Sequence, residues 1–344
     1  MKKKKCLACN INSLSEFIEI SQAFPKNWIF RGQENSLWTL QTSLEREVNS
    51  IIKNTEEFIP HKIKVIIGKR LKNKKDYYTI DNSDEYHAIR DFKRKTKNIM
   101  ASNIDALCSM QHFGAKTRLL DFSFSIGIAL FFAIEKNTIG DNNRCIWCIN
   151  TEPITRQIIS QNSSVFNDCL QKYAIDASNE DILYYFLKYQ EGEDYQECLK
   201  KQADLCITEN DEILHNPSVI PINLQGNNDR INVQNGLFLF PQNLKMTFCE
   251  NLCSSLYSGK MGEEISKEDI SNLGLAKVNS VKYIIQRIKG SDTPYIIQLR
   301  IPNSQREQFM DLCYWFNIST HTIYPDMEGA ARSVSYGIPK FKLS

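Results

Sequence analysis

A chain of 344 residues that is 42% hydrophobic and 24% charged can bury one large core or two modest ones, which excludes an intrinsically disordered protein. Its 42 Lys and Arg against 40 Asp and Glu leave a net charge of +2, so the molecule as a whole is no electrostatic magnet for nucleic acid or membrane. A local basic patch stays open.

The opening Met1-Lys2-Lys3-Lys4-Lys5-Cys6 has a charged head without the apolar stretch of a signal peptide, and no later run reaches the length that spans a bilayer. These features predict a soluble, cytoplasmic protein without a membrane partner. Eleven cysteines, an odd count without an export signal, fit reduced thiols rather than a disulfide framework. Cys6-x-x-Cys9 and Cys145-x-x-Cys148 each have the spacing of half a zinc site. The second pair lies in a strand-like run that sends its thiols to opposite faces, so no metal is expected.

Ser13 and Glu16 form a capping-box pattern before a short amphipathic helix carrying Leu14, Phe17, Ile18 and Ile20. Trp28 to Gly32 reads as a strand ending in a turn. Lys62 to Lys75 is basic and helix-like, and Glu85 to Lys97 keeps helical spacing with Tyr86, Ile89 and Phe92 on one side. Lys93, Arg94, Lys95 and Lys97 make a solvated face or a contact for an anionic polymer; nucleic acid is not the favoured partner. Leu119 to Ser123 reads as a strand and its exit loop, and Gly127 to Glu135 as a deeply buried apolar helix with Phe131 and Phe132 in the core. Arg144 to Ile149 is a strand, and residues 151–206 read mostly as helices, Asp181 to Tyr189 most clearly: a helical insertion or subdomain within a single domain of 1–344. Short strands follow at Val219 to Ile222, Leu237 to Phe240 and Tyr295 to Ile301, with a helix over Asn303 to Trp315. The fold class is α+β: a compact mixed core with helical insertions.

Two motifs about eighty residues apart concentrate polar side chains beside apolar structure. They are Phe30-Arg31-Gly32-Gln33 and the run from Gln111 to Ser123, which holds His112, Arg118 and Asp121. An unpaired charge set against packed structure costs several kcal/mol, on the order of 3–5 kcal/mol when one partner of a buried pair is lost, so such clusters mark a site. Arg31 and Arg118 either serve that site or pair with Asp121 and Asp326 in a buried network. His112 is either functional or a satisfied core residue.

These motifs resemble the FRG domain, known from bacteria and their mobile elements. Phe30-Arg31-Gly32-Gln33 followed by Trp38-x-Leu40-x-x-Ser43-Leu44-x-Arg46 is similar to its opening signature. Gln111-His112-Phe113-Gly114-x-x-Thr117-Arg118-Leu119-Leu120-Asp121-Phe122-Ser123, then Ala129 to Ala133, is similar to its most diagnostic segment. Arg230-Ile231-x-x-Gln234-x-Gly236-x-Phe238 and Tyr324-Pro325-Asp326-x-Glu328-Gly329 resemble its third and fourth blocks. An Arg ending an early strand, then a hydroxyl-bearing strand that runs into a helix, also resembles the layout of ADP-ribosyltransferases and their split sheet. There Arg binds the NAD diphosphate and later residues hold the ribose.

That resemblance implies NAD as a possible substrate, with Arg31, Gly32, Gln33 and Arg118 binding it. His112, Asp121, Ser123, Gln234 and Glu328 would then orient the sugar or stabilise a developing cation. Such a protein would transfer or hydrolyse at the ribose, as a toxin or antiphage component does. Gln234 stands where a transferase of this class presents Glu, so the charge comes from Asp121, Asp326 or Glu328, or the pocket binds a nucleotide without cleaving it. In that alternative the protein is a non-enzymatic nucleotide- or nucleic-acid-binding module acting through a protein partner docked on residues 151–206. A Ser-His-Asp hydrolase lacks its Gly-x-Ser-x-Gly elbow here, and neither a P-loop nor a metalloprotease motif is present.

Overall fold

Along the strand Arg144–Asn150 every residue is buried, and the faces alternate: Cys145, Trp147 and Ile149 enter one core while Ile146 and Cys148 enter another. That is the period of two expected of a strand covered on both sides. The computed structural model, which describes residues 4–54, 82–96, 102–136, 142–161, 193–209, 216–223, 233–257, 273–325 and 331, builds the whole molecule on this plan. In chain order the strands are β1 (Cys6–Asn10), β2 (Trp28–Gln33), β3 (Leu120–Ser123), β4 (Arg144–Asn150), β5 (Val219–Ile222), β6 (Gly236–Pro241), β7 (Ala276–Val278) and β8 (Ile296–Ile301). They form one sheet in the order β5-β6-β3-β2-β4-β8-β1-β7. β1 runs parallel to β7 and β8, and the other pairs are antiparallel, so the fold is α+β with a mixed sheet.

The helices are α1 (Leu14–Ser21), α2 (Ser43–Asn54), α3 (Asn82–Lys95), α4 (Asn103–His112), α5 (Ile126–Ile134), α6 (Glu152–Gln161), α7 (Glu193–Leu205), α8 (Phe248–Leu256), α9 (Val281–Lys289), α10 (Arg306–Trp315) and the single turn α11 (Thr320–Ile323). One core face gathers Phe17 and Ile20 of α1, the apolar run of α5, Ile284 of α9 and Phe309 of α10 against Trp28, Phe30 and Ile146. The other gathers Ile89 of α3, Leu107 of α4, Ile158 of α6, Leu199 of α7 and Phe248 of α8 against Ile29, Trp147 and Phe238. Each face is thus closed by helices, the arrangement that buries a sheet with two apolar sides. The expected capping at Ser13 is formed: its hydroxyl accepts from the Glu16 amide at 3.2 Å, and the Glu16 carboxylate accepts from the Asn12 amide at 2.8 Å.

The apolar helix forms as Ile126–Ile134, with Ile128, Ala129, Leu130, Phe131, Ala133 and Ile134 buried. Phe132 packs against this core but is only partly buried, and it also lines a cavity. The sequence reading passed over β1, whose Cys6 and Cys9 enter opposite cores. It also assigned no helix to Ser43–Asn54, Asn103–His112, Phe248–Leu256 or Val281–Lys289. Both described ends of the segment 151–206 pack into the main core through Ile154, Ile158, Tyr195 and Leu199.

Among the described residues nine cysteines are free and buried, and Cys198 is disulfide-bonded, where the sequence favoured reduced thiols over a disulfide framework. Lys62 to Lys75, Asp181 to Tyr189, Arg230-Ile231, Asp326, Glu328 and Gly329 lie outside the described residues. Among the described residues no helix is long and apolar enough to cross a membrane.

Candidate functional site

β2 and β3 share one registered pair, Phe30 with Ser123, whereas β2 follows β4 over six. Past that pair the two strands no longer follow each other residue by residue, and Arg31 spans the opening: its Nη1 donates to the Asp121 carbonyl at 2.8 Å. A cavity of about 450 Å3 lies here, lined from β2 by Arg31, Gly32 and the following Glu34, from the end of α4 by Gln111 and His112, and from β3 by Asp121 and Ser123. Gln234, Tyr324, and Phe132, Glu135 and Lys136 at the end of α5 complete the wall. The volume lies in the range of small-molecule sites.

Residues far apart in the chain converge because three backbone features aim them. His112 ends α4, and Gly114 then takes φ +84, a left-handed turn that glycine adopts without strain. The chain reverses there into β3. Gly32 has a different reason to be glycine than approach to a ligand: a Cβ would sit 2.0 Å from the Ala129 carbonyl oxygen and 2.5 Å from the Ala133 amide. It lets α5 lie directly on β2, which carries Phe132 and Glu135 to the cavity. The carbonyls at the end of α5 are capped by two cations, Arg144 on Ala133 at 3.0 Å and Arg306 on Ile134 and Glu135 at 2.8 and 3.0 Å. Cations at a helix C-terminus are stabilising, and here they fix one wall of the site.

Arg31 is the central cation. Burial pushes its guanidinium below its ordinary pKa, while Asp121, 3.7 Å away, opposes that shift. It remains charged, as Arg does in proteins. Its Nε is buried without a hydrogen-bond partner, which leaves a desolvation cost unrepaid. Asp121 Oδ2 also accepts from the Gln111 amide at 3.1 Å. Glu34 pairs with Lys136 at 2.9 Å, and the Tyr324 hydroxyl donates to Glu135 Oε2 at 3.1 Å.

Arg31, Gly32, His112, Asp121, Ser123 and Gln234 therefore share one cavity, and two of the expected residues do not reach it. Gln33 does not line it: two positions past Arg31 on β2, its Oε1 accepts from Trp147 Nε1 at 2.8 Å. Arg118 is 1% exposed. Its guanidinium forms a two-pronged ion pair with Glu85 of α3 and donates to the Pro241 and Gln242 carbonyls at 3.1 and 3.3 Å, over the Phe240 ring. Among the described residues its ionic partner is Glu85, not Asp121, and Asp326 lies outside them: Arg118 precedes β3 and points into the core between α3 and β6. Glu328 lies outside the described residues.

Two residues that do line the cavity have their polar groups engaged within the protein. Ser123 Oγ donates to the Gln234 carbonyl at 2.7 Å and accepts from the Ser125 amide at 3.0 Å, and Gln234 Nε2 donates to the Ile323 carbonyl at 3.1 Å. Ser123 thus clasps the strand to the neighbouring loop. Glu34, Glu135 and Lys136 were missed. The signal for Glu135 was its place as the first charged residue after an unbroken apolar run, where a buried helix has to emerge.

The family model of the FRG domain matches residues 26–142. That span holds β2, β3 and α5, hence both walls of the split, but not Gln234 or Tyr324. No curated protein and no solved structure matches the chain. The Phe30-Arg31-Gly32 segment that gives the cavity its cation thus lies inside the span, residues 26–142, that is similar to the FRG domain.

Proposed function

We propose that the cavity at the split between β2 and β3 takes a nucleotide of the NAD class, with Arg31 on its diphosphate, and that the protein acts at the ribose. The observation that carries this reading is the convergence of Arg31, His112, Asp121 and Gln234, drawn from three separate stretches of chain, on one cavity of about 450 Å3. A half-buried guanidinium that lines the cavity suits a phosphate oxygen, which it bonds more strongly than a neutral acceptor. Breaking the bond between the nicotinamide nitrogen and C1′ leaves the electron pair on nitrogen and positive charge on the ribose. Water or an acceptor nucleophile then adds at C1′ and gives up its proton. The carboxylates of Asp121, Glu34 and Glu135 suit that developing charge. An activity of this kind fits a toxin or an antiphage component.

Mass spectrometry after incubation with NAD tests it. Wild type releases nicotinamide, and Arg31→Ala slows release by at least tenfold, the cost of about one charge-assisted hydrogen bond. Equal release by both proteins, or none by either, counts against the enzyme. The engagement of Ser123 and Gln234 within the protein favours an alternative, a nucleotide-binding module without turnover. Thermal stabilisation by nucleotides in the absence of nicotinamide release would select that alternative.

A further inference from the structure

Three carboxylates line the cavity, and two of them face cations. Asp121 lies 3.7 Å from Arg31, and Glu34 lies 2.9 Å from Lys136. Glu135 differs. Its carboxylate accepts from the neutral Tyr324 hydroxyl at 3.1 Å, and among the described residues it makes no ion pair. The nearest guanidinium contact, from Arg306, goes to the Glu135 backbone carbonyl at 3.0 Å and is spent on capping α5. Lys136, next in the chain, is committed to Glu34.

Two aromatic rings stand beside this carboxylate. Phe132 and Tyr324 lie 6.2 Å apart at 73° and line the same cavity. Phe132 is one turn before Glu135 on α5, so the ring and the carboxylate project on neighbouring paths. Aromatic faces attract a cation through their quadrupole, and an unneutralised, half-buried carboxylate attracts it through charge. The corner is built for a flat cationic group, while Arg31 elsewhere in the same cavity suits an anion.

We infer that Glu135, with Phe132 and Tyr324, receives the cationic pyridinium ring of an oxidised nicotinamide dinucleotide, so that the site distinguishes NAD+ from NADH. This rests on the nucleotide reading above and adds to it the redox form of the ligand and the residue that selects it. An anionic diphosphate and a cationic ring in one ligand match the two kinds of charge that the cavity presents.

Isothermal titration of the full chain with NAD+, NADH and ADP-ribose tests the assignment. Wild type should bind NAD+ about tenfold tighter than NADH, and Glu135→Gln should bring that ratio to about one. Binding of ADP-ribose with equal affinities for NAD+ and NADH would overturn the role of Glu135 while leaving the nucleotide reading intact. Failure to bind any of the three overturns both. Should Glu135→Gln not fold, the wild type decides alone: 1-methylnicotinamide, a cation, should displace bound NAD+ at about tenfold lower concentration than neutral nicotinamide. Equal displacement overturns the inference.

Discussion

Arg31 and Arg118 each sit in one of the two polar motifs, yet their surroundings give them opposite work. Arg31 is half-buried and lines a cavity, whereas Arg118 is sealed beneath α3 with a carboxylate and two carbonyls to satisfy it. The Arg118–Glu85 pair is therefore a stability element. Removing one partner leaves a charge buried alone, so Arg118→Ala should lower unfolding stability by about 3–5 kcal/mol. The double variant with Glu85→Ala should lose less than the sum of the two single losses, because they share one interaction. Urea unfolding of the four proteins checks both points, and simple additivity would contradict the pairing. Chain spacing cannot separate these two arginines, since each side chain's fate is set by residues more than thirty positions away.

At the scale of elements, periodicity was a good guide where one period dominates. β4 and α5 were legible because an all-buried strand and an all-buried helix leave long apolar runs. β1 was not: a five-residue strand holding two cysteines reads equally well as half a metal site, and only its pairing with β7 and β8 identifies it. Helices with polar faces, α4 and α9 among them, lack the concentration of apolar residues that singles out α5. The contact between β2 and α5 also depends on one position. Gly32→Ala places a methyl group against backbone atoms that have no rotamer to change. The variant should therefore lose about 3 kcal/mol or more of stability, and a thermal melt indistinguishable from wild type would refute that contact. Because α5 carries Phe132 and Glu135, loosening it also blurs the cavity wall.

For the whole molecule, the sheet closed by helices on both faces hides its thiols. Burial raises Cys6 and Cys9 to about 11, and Cys145, Cys206, Cys253 and Cys313 to about 12. A thiol with a raised pKa in the folded state stays neutral there after its unfolded counterpart has ionised. The stability it contributes is present below the ordinary value of 9.0 and is lost as pH rises from there towards 12. Melting temperatures should accordingly fall steadily above about pH 9, and a flat profile to pH 11 would argue against deep burial. In native protein at neutral pH these groups should resist alkylation and become reactive only on unfolding.

By itself the sequence determined the fold class, the apolar helix and its neighbouring strands, and the family signature, because these are written in local periodicity and in contiguous motifs. It also pointed to Arg31, His112, Asp121, Ser123 and Gln234 as companions. Tertiary structure alone decided that β2 and β3 part after a single pair, that Gln33 and Arg118 do not line the cavity, and that Glu135, Phe132 and Tyr324 join the site. Those outcomes depend on which backbones approach each other and where buried charges find partners. Such contacts link residues up to about two hundred positions apart, and no local pattern records them.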